Sequence, residues 1–418
     1  MVFRVLLLTA VVVSITACNV ASHVRMRYAN DNLTVNWPAD VEHLPLKTHY
    51  IGEKPHVYVE VNGQSGFLFL IDSGASLTYF MDTPQVRALN LPQGYDLQVG
   101  GWGSQEDSKV YQSQVATLAL EEAFFEDVNV AYLPVSHSRY YASPNEAIID
   151  GVLGHDILRH FAWRFDKKHN RIDVSPQSFS ADENDIAIPF DISFSKLSVP
   201  AKVTLNPRHT VERDILIDTG SRHFFKLNQT YLDEEDISLS QRSVTGADFG
   251  LSGRAVHQRV TLPQVQVGDW ALNNVKTNLI KTEDPDDFWV IGSAALSQFI
   301  TILDYHTGHL IVRNYPKHSF KSRYNLLGLE LRKNRQDNFV VRYVMPDMAG
   351  ATTDFQEGDI ITRINGRQSP TISQEDWLKL TDTPGRYEIC RRREQARTER
   401  CLEVASDHIA GYSNELGN

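Results

Sequence analysis

Two short acidic motifs are the residues of this sequence best suited to chemistry. Asp72-Ser73-Gly74 follows the apolar run Phe67-Leu68-Phe69-Leu70-Ile71, and Asp218-Thr219-Gly220-Ser221 follows Ile215-Leu216-Ile217. Two carboxyl groups on opposite sides of one water form an acid–base pair. Like charges about 3 Å apart do not both ionise, so the pair holds a single shared proton. One member deprotonates the water while the protonated partner donates toward the group under attack. The titration belongs to the pair, and neither aspartate takes a fixed role. Gly74 and Gly220 let the backbone turn tightly and bring its amides to the carboxylates with no side chain in the way. Ala75 cannot hydrogen-bond an aspartate whereas Ser221 can, an asymmetry that would set the two carboxyls apart. Taken singly, each motif also fits a turn or capping aspartate at a strand end.

Other chemistry has little support. There is no His-Glu-x-x-His, no Cys-x-x-Cys, no phosphate loop and no Gly-x-Ser-x-Gly. His155 and His160 stand five apart, a spacing that does not put both on one helical face for a metal. No metal site and no organic cofactor is expected. Arg222 and His223 after the second motif tune pH dependence, favour acidic substrates or simply lie on a solvated loop.

The elements that must position the aspartates occur twice. In residues 54–174, Val57-Tyr58-Val59-Glu60-Val61, an Asn62-Gly63 turn and the strand into Asp72 are followed by Gly151-Val152-Leu153-Gly154, Leu158, Phe161 and Phe165-Asp166. Residues 199–313 repeat this order with Val203-Thr204-Leu205, the strand into Asp218, Val290-Ile291-Gly292, Leu296, Phe299 and Leu303-Asp304. Short apolar runs between Asn-Gly, Thr-Gly and Gly-Gly punctuation predict strands and hairpins. Helical spacing is clear only just after Gly154 and Gly292.

The doubled Asp-Ser/Thr-Gly motif behind apolar strands, within a repeat, resembles the retropepsin and pepsin clan of aspartic peptidases, most closely the bacterial retropepsin-like type. The resemblance covers about two thirds of the chain. It implies a mainly β, bilobal architecture with duplicated lobes and a cleft between them, in which Asp72 and Asp218 hydrolyse peptide bonds. It also implies that the Ser73 and Thr219 hydroxyls cross between lobes to lock the two loops, with Gly74, Gly220 and Ser221 supporting them. Val99-Gly100-Gly101-Trp102-Gly103 and Val244-Thr245-Gly246 match the glycine-rich flaps of that clan. Gly101, Trp102 and Gly103 are the flap candidates, Trp102 serving either to close over substrate or to pack the hairpin.

The third region is composed differently. Leu327-Gly328-Leu329, Phe339-Val340-Val341 and Glu357-Gly358-Asp359-Ile360-Ile361-Thr362-Arg363-Ile364-Asn365-Gly366 resemble a small PDZ-like α/β domain. That likeness implies capture of an extended peptide as an added strand, with Leu327, Gly328 and Leu329 receiving the chain terminus. A module that packs on the peptidase and binds nothing is the alternative.

The chain of 418 residues, 42% hydrophobic and 22% charged, is long enough for several domains. Its net charge of −11 without a basic cluster argues against nucleic-acid partners. Arg4 and the apolar run 5–13 predict a signal peptide. Ile15-Thr16-Ala17-Cys18 resembles a lipobox, which implies lipidation of Cys18 and a membrane anchor; an ordinary cleaved signal is the alternative. Asn19, in place of aspartate, points to the outer membrane of a Gram-negative bacterium and a periplasmic location. Cys390 and Cys401 lie in two short β-like runs around a polar stretch, and a hairpin there predicts a disulfide in an exported protein. The expected plan is a signal peptide at 1–18, an N-terminal segment at 19–53, lobes at 54–180 and 181–313, and a linker at 314–323. The PDZ-like domain at 324–406 and a loose tail at 407–418 complete it. The function this predicts is an aspartic endopeptidase acting on protein or peptide substrate, with a PDZ-like module for a peptide ligand. The alternative is a non-catalytic envelope lipoprotein that binds peptides through a degenerate cleft.

Overall fold

A computed structural model describes residues 21–100, 108–134, 149–284, 286–287, 289–334, 336–393 and 398–413. Cys18, the segment 1–18 expected as a signal peptide, and the flap candidates Gly101, Trp102 and Gly103 lie outside the described residues. The chain is mostly β.

The repeat read from the sequence appears as two eight-stranded sheets with one strand order. The first runs Thr48–Ile51, Lys54–Val61, Gln64–Ile71, Gly151–Leu153, Tyr79–Met81, Ala123–Leu133, Ser108–Leu120, Asp96–Val99. The second runs Asp191–Ser193, Lys196–Asn206, His209–Asp218, Val290–Gly292, Phe225–Asn228, Trp270–Ile280, Gly253–Val267, Val244–Gly250. In each, the strand entering an aspartate pairs in parallel with the strand that ends at the later glycine motif. A six-stranded sheet takes three strands from each half and joins them where Ala162–Asp166 pairs with Ile300–Asp304.

Local sequence explains these elements. Asn62 and Gly63 both take positive φ, 51° and 73°, the conformation of a two-residue hairpin turn whose twist matches its strands. At the equivalent turn in the second half, Asn206 Oδ1 instead accepts from the amides of Arg208 and His209. Along Lys196–Asn206 alternate side chains are buried, the period of a strand with one covered face. The short helices His155–Leu158 and Ser293–Leu296 stand where the spacing predicts them. Pro84–Ala88 and Gln229–Glu234 are helices not expected from periodicity. Both carry readable caps: Thr83 before Pro84, and Asn228, whose Oδ1 accepts from the amides of Thr230 and Tyr231.

The first half starts earlier than position 54, because Leu44–Leu46 and Thr48–Ile51 already belong to its sheets. A helix at 21–28 sends Met26 into an apolar cluster with Met81, Leu97, Val110, Ala131 and Leu133. One continuous core joins the two halves, with Phe69, Phe161 and Trp163 from the first and Phe225, Trp289 and Leu303 from the second all buried. Burying each such side chain stabilises the fold by about 1.5–3 kcal/mol.

The C-terminal module has its own core around Leu331, Phe339, Ile361, Trp377 and Ile389. Its sheet runs Leu329–Lys333, Phe339–Val344, Ile360–Ile364, Gly385–Arg392, Arg400–Ser406. The helix Gln374–Thr381 packs on it, started by a capping box between Ser373 and Asp376. Cys390 and Cys401 face each other across the last hairpin and are joined by a disulfide. The tail differs from the loose segment expected: Tyr412 and Ser413 are buried, and Tyr412 packs with Val244, Met345 and Met348. Tyr412 anchors the tail because its ring packs edge-on against Tyr324 and its carbonyl accepts from Thr261 Oγ1 (2.6 Å).

Candidate active site

The strand Gln64–Ile71 delivers Asp72, and His209–Asp218 delivers Asp218, to the junction of the two halves. There the loops interlock. The Ser73 amide donates to Thr219 Oγ1 (3.0 Å), and Thr219 Oγ1 donates to the Ile71 carbonyl (2.8 Å). The reciprocal pair is Thr219 N to Ser73 Oγ (3.0 Å) and Ser73 Oγ to the Ile217 carbonyl (2.7 Å). These four buried bonds hold two stretches of chain 146 positions apart, as the resemblance implied for Ser73 and Thr219.

The glycines set the approach of the carboxyls. A Cβ on Gly74 would lie 2.7 Å from Asp218 Cγ, and one on Gly220 would lie 2.2 Å from Asp72 Cγ. Each carboxyl therefore rests against the opposite loop, where only glycine leaves it room. The Gly74 amide donates to Asp72 Oδ1 (2.8 Å) and the Gly220 amide to Asp218 Oδ1 (2.9 Å). Burial and the nearby Asp218 charge push the Asp72 carboxyl up to about 7, against the opposing pull of Lys196, Lys54 and the Gly74 amide. Ser221 Oγ is buried with no hydrogen-bond partner among the described residues, so it does not bond Asp218 in the way its position after Gly220 suggested.

The two loops are braced differently. Behind the first, the Gly154 amide donates to Thr78 Oγ1 (3.1 Å), which donates to Asp156 Oδ1 (2.8 Å), and Asn30 Nδ2 reaches Asp156 Oδ2 (2.8 Å). Behind the second, the Ser293 amide and hydroxyl both donate to the Ser221 carbonyl, at 2.7 and 2.9 Å. His223 is not on a solvated loop. Its Nε2 lies 3.4 Å from Asp248 Oδ2 in a packed ionic cluster, whereas Arg222 is exposed.

Lys196 was not singled out from the sequence. Its Nζ donates to the Gly74 carbonyl, from the second half to the loop that carries Asp72. It occupies the hairpin position that Lys54 holds in the first half, since Ser193 pairs with Lys196 as Ile51 pairs with Lys54. Aligning the two repeats one strand further back would have found the pair.

Residues 57–157 match the family model described as aspartyl protease. Residues 318–390 match the PDZ domain model. The chain thus carries an aspartyl protease domain followed by a PDZ domain. The protease match covers the first repeat only, and the PDZ match begins within the stretch expected as linker. No curated protein matches the chain.

In the PDZ domain, Leu327, Gly328 and Leu329 are all buried. A Cβ on Gly328, whose φ is 73°, would lie 2.3 Å from Met348 Cβ, and the Leu327 and Gly328 carbonyls accept from the amides of Gly350 and Met345. The edge strand Leu329–Lys333 and the helix Gln374–Thr381 face the protease across a cavity of about 60 Å³, bounded on the other side by Glu53, Arg222, His223 and Arg259. A larger depression of about 730 Å³ lies over Lys202, Glu212, Arg213 and Asp214 and includes neither Asp72 nor Asp218.

Proposed function

We propose that this protein is an aspartic endopeptidase in which Asp72 and Asp218 share one proton and activate a water against a peptide carbonyl. The observation that carries the reading is the reciprocal approach of each carboxyl to the opposite glycine, which sets two acids from separate repeats against one another. The Gly74 and Gly220 amides each fix one oxygen of their own loop's carboxyl. A pair with one proton works as acid and base together. With Asp72 raised to about 7, the singly protonated pair persists toward neutral pH, and turnover falls as the second proton leaves above that value. A chain with an aspartyl protease domain and a PDZ domain takes proteins or peptides as partners.

Export to the periplasm and anchoring through a lipidated Cys18 are part of the same proposal. They are supported by the apolar run 5–13 and by the Cys390–Cys401 disulfide, a bond that persists in oxidising compartments.

The test is hydrolysis of fluorescein-labelled casein from pH 3 to 8, with and without a statine-containing peptide. Asp72→Asn and Asp218→Asn are each expected to lower turnover at least a thousandfold with the fold intact. Cleavage retained by either variant removes the dyad from the mechanism.

A further inference from the structure

The two repeats share a strand order but differ in what lies beneath the hairpin beside each catalytic loop. Under the first hairpin the side chains are apolar, with Leu97, Val110, Ala131 and Leu133 in one cluster. The corresponding place in the second half is ionic. Asn278, which pairs with Lys226 as Ala131 pairs with Tyr79, donates to Asp248 Oδ2 (2.7 Å). Asp248 also lies 3.1 Å from His257 Nε2 and 3.4 Å from His223 Nε2, and accepts from Arg259 at 3.1 Å. Arg259 reaches outward to Glu330 of the PDZ domain at 2.6 Å.

We propose that Asp248 is a positioning residue for the Asp218 loop, acting through His223, and that Glu330 of the PDZ domain holds it in register through Arg259. The PDZ domain is then a structural part of the second catalytic half-site. This rests on the proteolytic reading of Asp72 and Asp218.

His223 stands five residues after Asp218, and its carbonyl accepts from the Ala294 amide, so its place sets the path of the loop that carries the aspartate. A carboxylate as enclosed as Asp248, whose side chain is 12% exposed, needs compensating charge. Burial lowers the pKa of both His223 and His257 and favours the neutral imidazole, which leaves Arg259, 3.1 Å from Asp248, as the balancing cation in contact with it. Arg259 is itself 7% exposed and carries a second carboxylate, Glu330, on its outer side. Withdrawing Glu330 frees Arg259 to move and unbalances the cluster at the point where it meets the loop.

Other contacts tie the same hairpin to the PDZ domain without entering the cluster. Arg254 pairs with Glu357 at 2.9 Å, and Arg342 lies 3.6 Å over the Phe249 ring. The Arg254–Glu357 pair is half-exposed and serves as a control, since exposed pairs contribute little.

The experiment uses the full chain with Glu330→Gln, Asp248→Asn and, as control, Glu357→Gln. Casein hydrolysis separates kcat from KM, and hydrogen exchange reports on residues 219–226. Glu330→Gln and Asp248→Asn are expected to lower kcat about tenfold or more at nearly unchanged KM and to speed exchange in 219–226 at least tenfold. Glu357→Gln should stay within twofold in both. Unchanged exchange in 219–226 for Glu330→Gln overturns the proposal. If Glu330→Gln does not fold, Glu330→Asp, which draws the carboxylate back by one methylene, is read by the same criterion. If the wild-type chain has no turnover, the proteolytic reading fails and the exchange result alone decides whether the PDZ domain positions the loop.

Discussion

Asp72 is held where an ionised carboxyl is costly. Its folded pKa is raised to about 7 from an ordinary 3.8, by burial first and by the Asp218 charge second. For a carboxyl shifted upward, the neutral form is favoured in the fold. The stability it contributes is complete below the unfolded value and is lost as pH rises through the folded one. Asp72→Asn cannot ionise and escapes this loss. The variant should therefore melt a few degrees above the wild type at pH 8, with the gap closing below about pH 4, as followed by thermal denaturation across pH. An equal gap at both ends would mean that charge is not its cause. The motifs themselves were legible at this scale, since type and spacing picked out both aspartates and the glycines, while the roles of the two hydroxyls came from the family resemblance. Lys196 shows only when the two repeats are aligned back to the hairpin that also holds Lys54, and Asp248 has no neighbour in sequence that hints at its contacts.

Each aspartate-bearing loop is a strand end braced by a second strand and a short helix, and the brace depends on contact between backbones. A Cβ on Gly292 would come within 2.4 Å of the Ser221 carbonyl and 2.5 Å of the His223 carbonyl. Neither atom is the end of a flexible side chain, so the loop must shift. Gly292→Ala is expected to cost roughly 1–3 kcal/mol of stability and to depress turnover, seen as a lower denaturant midpoint together with a lower kcat. The strands and hairpins around these loops follow from alternating burial and from turns such as Asn62-Gly63. The helices Pro84–Ala88 and Gln229–Glu234 escaped notice because five or six residues show no helical period, although Thr83 and Asn228 mark their starts.

Across the whole molecule, the protease and PDZ domains meet over a surface rich in charge. Arg323 pairs with Glu53 and Glu375, Lys167 with Glu375, and Arg259 with Glu330. The disulfide lies at the far edge of the PDZ sheet, closing a loop whose ends are 11 positions apart. Replacing Cys390 and Cys401 by serine is expected to destabilise that domain by about 2–3 kcal/mol, measured as faster hydrogen exchange across 385–406. Turnover unaffected by a PDZ domain loosened to that degree would argue for a module that only recruits.

Read alone, the sequence carries the duplicated halves, the two Asp-Ser/Thr-Gly motifs, the likeness to a PDZ domain and the hairpin that unites Cys390 with Cys401. All of these are written in local pattern: apolar period, turn residues and motifs of three or four positions. It takes the folded chain to show that Tyr412 closes the tail onto the second half, that His223 is packed rather than solvated, and that Glu330 reaches a buried cluster beside the Asp218 loop. Those contacts join residues tens to hundreds of positions apart through side-chain charge and shape, and a single chain carries no local periodicity that records such a meeting.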